Sequence, residues 1–200
     1  MGTVRRHAAA ADDVAPLASE RPASAWVPPA ARLSFAAFVL ITAGLPALRS
    51  DRAAWESSIS SFLVGDFGWL AVASFFALAL GGALRAEEAR ASGEPRRRVL
   101  FLVLSTYAVS ALVAGLTAPS SAAHIAAAAT AFATVPVAVV LAARAHRVGW
   151  FLAITVSFAA WPLLPFGLAE RLTTLLEVAW LVSTSPASGW VHGSGHSTKG

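Results

Sequence analysis

From residue 33 onward the chain reads as long apolar runs separated by short polar segments. The runs cover residues 33–48, 67–84, 99–118, 121–143, 149–168 and 169–185. An α-helix rises about 1.5 Å per residue, so about 20 residues cross the hydrocarbon core of a bilayer. The third, fourth and fifth runs meet that length directly; the first two must borrow flanking turns. The sixth carries Glu170, Arg171 and Glu177 and is the least apolar. The expected fold is therefore all-α: a polytopic transmembrane bundle of about six helices within residues 30–185. A disordered cytoplasmic arm is expected at 1–29, with no apolar core that could act as a signal peptide. A flexible Gly/Ser tail is expected at 186–200.

Composition narrows this reading further. Only 13% of the residues are charged and 56% are hydrophobic, with a mean hydropathy of +0.64. A soluble domain carries about 25% charged residues, so the material for a fully solvated surface is missing, and the lipid bilayer is the expected partner. The lack of Cys excludes disulfides, thiolate metal sites and cysteine nucleophiles. A net charge of +4 does not indicate nucleic acid, because the arginines cluster between apolar runs. There they report orientation. With the N-terminus inside, twelve of the fifteen basic residues fall on the cytoplasmic side, Arg85, Arg90, Arg96, Arg97 and Arg98 among them. Arg49, Arg52 and Arg171 remain outside. This positive-inside bias assigns both termini to the cytoplasm and the protein to the cytoplasmic (inner) membrane.

Two features concern packing. Ala123, Ala127 and Ala131 form a small-xxx-small stripe on the fourth helix, which suits close helix approach within the bundle or in a homo- or hetero-oligomer. Pro136, Pro162 and Pro165 free backbone carbonyls and are expected to kink their helices.

The polar residues fall on one side of this topology. Asp51, Ser60 and Asp66 lie between the first two runs, His124 opens the fourth, and Glu170 and Arg171 open the sixth. All are expected at the extracytoplasmic mouth of the bundle. Glu177 lies seven residues beyond Glu170, within about 20° of the same helix face and about 10 Å deeper. An acid at that depth faces a bundle interior or a wet cavity, with Arg171, Tyr107 or Thr106 as candidate partners. His124, Glu170 and Asp66 are the candidate catalytic groups; Arg171, Glu177, Ser60, Asp51 and Trp180 are the candidate ligand-binding groups. Each has a structural alternative. His124 suits an interfacial hydrogen bond, Glu170 and Arg171 an ion pair closing the bundle, and Asp51 and Asp66 helix caps. No metal is expected: no paired-histidine spacing is present, and His192 and His196 lie in the tail without fixed geometry. No cofactor is indicated.

Ile59-Ser60 followed by Gly65-Asp66-Phe67-Gly68-Trp69-Leu70, the lone His124, and Gly167-Leu168-Ala169-Glu170-Arg171-Leu172 ahead of Trp180 resemble the bacterial membrane family called domain of unknown function 998. The resemblance covers about residues 33–184. It implies six helices, a Ser-containing segment before helix two, a histidine near the start of helix four, a Gly…Arg-Leu signature leading helix six, and a basic residue such as Arg85 closing helix two. Thr117-Ala118-Pro119-Ser120 lacks the acidic residue the family often places before the histidine, and Asp51-Arg52-Ala53-Ala54-Trp55 replaces its Pro/Tyr segment. The chain is thus a divergent relative on this reading, and the family supplies architecture but no reaction.

Three functional classes follow. The leading one is a multi-pass membrane protein with a polar pocket for a lipid or amphiphilic small molecule at the extracytoplasmic mouth. The second is an intramembrane enzyme using His124 with carboxylates and Arg171 against an anionic headgroup. The third is a non-enzymatic scaffold or assembly subunit.

Overall fold

A computed structural model of the chain describes residues 27–49, 53, 55–92, 95–142 and 147–184. Most of the arm, Asp51 and the His192–His196 tail lie outside these residues. The described residues form six helices and no strand: α1 Val27–Leu48, α2 Gly68–Ala91, α3 Pro95–Leu116, α4 Ala122–Leu141, α5 Arg147–Ala159 and α6 Phe166–Ser183. Short 3₁₀ turns stand at Ile59–Leu63, before α2, and at Trp161–Leu163, between α5 and α6.

Four of these helices, α1 to α4, are long and apolar enough to cross a membrane. α1 reaches 22 residues by starting at Val27, inside the segment expected to be disordered. Pro28 and Pro29 fall in its first turn, where a missing N–H costs nothing. The fifth run differs from expectation. Pro162 and Pro165 end the helix where a kink was expected. α5 has only 13 residues, about 20 Å, and α6 starts three residues before the expected sixth run. Two prolines three apart remove two amide donors and push the preceding residues out of the helical region. α6 has 18 residues and keeps Glu170, Arg171 and Glu177.

Successive helices pack side by side, α1 on α2, α2 on α3 and α3 on α4, while α5 bridges α4 and α6 and α6 returns to α1. The closest approaches use glycine. A Cβ on Gly81 would meet the Phe35 ring at 2.7 Å, and one on Gly82 would meet Tyr107 at 2.7 Å, so two rings seat directly on the α2 backbone. The core runs from Phe35 and Phe38 through Leu78, Tyr107 and Val135 to Trp180 and Leu181. Of the alanine stripe, Ala127 is buried and Ala131 half-buried inside the chain's own bundle, while Ala123 is exposed.

The ends of the bundle are tied differently. At one, buried Arg85 holds Glu88 at 2.7 Å and donates to the Val182 carbonyl near the end of α6 at 3.1 Å. At the other, the α1–α2 connection folds over the start of α6. Arg49 fixes its far side by donating to the carbonyls of Val64 and Asp66 at 2.9 and 2.8 Å. Gly65, at φ +90°, makes the turn beneath that guanidinium.

Candidate functional site

The 3₁₀ turn at Ile59–Leu63 is held by its own cap and by α6. Ser58 Oγ accepts the Ser61 N–H at 3.1 Å, which sets the entry to the turn. The Ile59 N–H donates to Glu170 Oε2 at 2.7 Å, and the Leu168 N–H donates to the Trp55 carbonyl at 2.9 Å. Gly167 lets the Ser57 backbone lie against α6, because a Cβ there would collide with the Ser57 carbonyl. The Leu168 amide is shared between the loop and the Pro165 carbonyl, to which it also donates at 3.0 Å.

α4 brings in the histidine. Its N-cap Ser121 accepts the His124 N–H at 3.1 Å, so the ring leaves the first turn in a fixed direction. His124 is buried, with Nδ1 at 2.9 Å from the Ala114 carbonyl of α3. A carbonyl only accepts, so Nδ1 carries a proton and Nε2 is the acceptor of the neutral ring.

Between these elements lies a cavity of about 400 Å³. Ser60, His124, Glu170 and Glu177 all line it, together with Tyr107 and Thr174. An aromatic wall closes the side toward α5: Trp161 stacks on Phe158 at 5.4 Å and meets Phe132 and Phe166 edge-on at 5.6 and 5.2 Å. Trp161 is pinned by its Nε1–H donating to Thr173 Oγ1 at 3.0 Å, and Thr173 in turn donates to Ser157. Phe38, Phe75 and Leu78 form the opposite wall.

Four of the candidate residues therefore meet, Asp66, Arg171 and Trp180 stand apart, and Asp51 lies outside the described residues. Asp66 is exposed and does not line the cavity; nor does it cap α2, whose N-cap is Phe67 at φ 61° without a side-chain bond. Trp180 is core, on the part of α6 away from the cavity. Arg171 also misses the cavity. The expected Glu170–Arg171 ion pair is not formed: Glu170 is bonded to Ile59, and the Arg171 guanidinium lies 5.6 Å from the Phe62 ring centroid with Nη1 buried and unpartnered. Consecutive residues on a helix point about 100° apart, which separates the two side chains. Thr106 is no partner for Glu177 either; it is exposed and donates to the Leu102 carbonyl. Tyr107 shares the cavity with Glu177, yet its hydroxyl and Glu177 Oε1 are both buried without a hydrogen-bond partner.

Ser58, Ser61, Phe132, Trp161, Phe166 and Thr174 also contribute and were not foreseen. Some signal existed: His124, Ala128 and Phe132 are spaced by four, as are Glu170 and Thr174. Among the described residues no three His, Asp or Glu side chains converge as metal ligands. No family model, curated protein or solved structure matches the chain.

Proposed function

We propose that this chain is a multi-pass protein of the cytoplasmic membrane, both termini inside, that holds a lipid-like or amphiphilic small molecule in the cavity at its extracytoplasmic end. The orientation rests on the distribution of arginines between the two sets of loops. The resemblance to the six-helix bacterial family supports the setting. The observation that carries the binding function is the cavity: about 400 Å³, walled largely by apolar and aromatic side chains, with a few polar groups converging on it. A bundle that needed only to pack would fill that space, since interiors tolerate few voids larger than a water molecule. Native mass spectrometry of the protein released from its own membranes tests this. A defined adduct is expected on the wild type and not on Ala128→Phe, which fills the cavity from α4. A folded wild type free of adduct, and unaffected in melting temperature by added amphiphiles, would count against the reading.

One observation favours a second reading, an intramembrane enzyme. The His124 tautomer is fixed by Ala114, which leaves Nε2 as a base beside the same cavity. On that reading His124→Ala retains an adduct of different mass, the unconverted substrate. Identical adducts on the two proteins would assign His124 to binding or packing alone.

A further inference from the structure

The polar lining of the cavity is one-sided in charge. Glu170 and Glu177 line it with Tyr107, His124, Ser60 and Ser61, and among the described residues no Lys or Arg does. Two observations lift this above an acidic cluster. Glu177 is 1% exposed and Tyr107 is 1% exposed, both line the cavity, and each keeps a side-chain oxygen without any hydrogen-bond partner. A buried carboxyl oxygen left in this state costs free energy that a bound donor would recover. Independently, the walls are aromatic, from Phe38 and Phe75 on one side to Phe132, Trp161 and Phe166 on the other. Ring faces carry partial negative charge and attract cations, most strongly where water is excluded.

We propose that the ligand is an organic cation: an ammonium group that donates to Glu177, carried on an apolar body that lies against Phe132 and Trp161. This deepens the binding function proposed above and rests on it. An anionic headgroup would face two acidic side chains with no Lys or Arg among the described lining residues, because Arg171 is turned to Phe62. An ammonium instead forms charge-assisted hydrogen bonds with carboxylate oxygens and meets ring faces as well. The route in fits an amphiphile. Ile125 and Phe166 both line the cavity and are 60% and 50% exposed, so it reaches the surface between α4 and α6 through an apolar rim.

The test uses the full chain in nanodiscs of zwitterionic lipid and three probes with one apolar body: 4-phenylbutylamine, 4-phenylbutanol and 4-phenylbutyrate. Titration calorimetry is expected to show the amine binding roughly tenfold or more tighter than the alcohol, with the carboxylate weakest. Glu177→Gln is expected to remove that preference while leaving the alcohol's affinity in place. Equal affinity for amine and alcohol, or tightest binding of the carboxylate, overturns the cation assignment and leaves the binding cavity standing. Failure of all three probes to bind overturns both. The wild-type comparison decides the matter even if the Gln variant does not fold.

Discussion

The contact that fixes the cavity's roof is the Ile59 N–H donating to Glu170 Oε2 at 2.7 Å, across 111 residues of chain. Glu170→Met keeps the side chain's length and most of its volume but removes the acceptor. Ile59 is 5% exposed, so its amide has little access to replacement water. An unsatisfied buried donor costs about 1–3 kcal/mol, and about 1.4 kcal/mol is a factor of ten in an equilibrium. Local opening of the 3₁₀ turn should therefore rise by about 5- to 140-fold. Glu170→Gln leaves a carbonyl oxygen in the same place and should cost under about 1 kcal/mol. Because the Leu168–Trp55 bond and the close Gly167–Ser57 approach remain, the effect is expected in the loop and not in the whole bundle. Hydrogen–deuterium exchange of peptides covering residues 55–63 reads it directly. If the Met variant protected Ile59 as well as the wild type does, or if Met and Gln behaved alike, the claim that Glu170 holds the turn would fail.

Three further outcomes are expected. Gly82→Ala forces a Cβ to within 2.7 Å of the buried Tyr107 ring and should destabilise the bundle by about 1–3 kcal/mol, seen as a lower melting temperature in detergent. Ser121→Ala removes the α4 cap that accepts the His124 N–H and should cost about 1 kcal/mol, whereas Ser121→Asp should retain stability in the same assay. Since the chain has no Cys, single substitutions report topology cleanly: Ser57→Cys should label from outside intact cells, and Ser92→Cys only after permeabilisation. The opposite pattern would invert the orientation.

Helix number was legible because each apolar run is bounded by polar residues or proline, and for α1 to α4 the run length also matches the lipid thickness. The register at the fifth run was not. Counting apolar residues treats 149–168 as continuous, whereas Pro162 and Pro165 act on backbone donors that hydropathy ignores. Candidate residues were readable as faces: 107, 111 and 114 on α3, and 170, 174 and 177 on α6, recur at helical spacing and all reach the cavity. What periodicity leaves open is which faces meet. The docking of Ile59 on Glu170 joins distant parts of the chain and has no local signature. Adjacency in sequence also misleads, as it did for Glu170 and Arg171, since neighbours on a helix look in different directions.

Buried charge is treated in opposite ways at the two ends of the bundle, and the contrast makes one more prediction. Arg85 and Glu88 neutralise each other within the chain, and Arg85 also satisfies the Val182 carbonyl. Glu88 Oε1 is also without a hydrogen-bond partner, but its carboxylate is paired with Arg85, whereas Glu177, 1% exposed, makes no ion pair among the described residues and keeps Oε1 unpartnered. If that oxygen serves a ligand, the ligand-free protein bears an unrelieved desolvation cost, and an apolar residue of similar size should lower it. Glu177→Met is thus expected to raise stability by about 1–3 kcal/mol in ligand-free protein, measured by thermal or denaturant unfolding in detergent. Glu88→Met should do the reverse, because it strands Arg85 as an unpaired buried cation. The two variants remove the same functional group at similar burial, so their difference in sign isolates the role of the partner. A loss of stability in Glu177→Met comparable to that in Glu88→Met would mean that Glu177 is already satisfied within the fold, and the cavity would lose its strongest claim to a ligand.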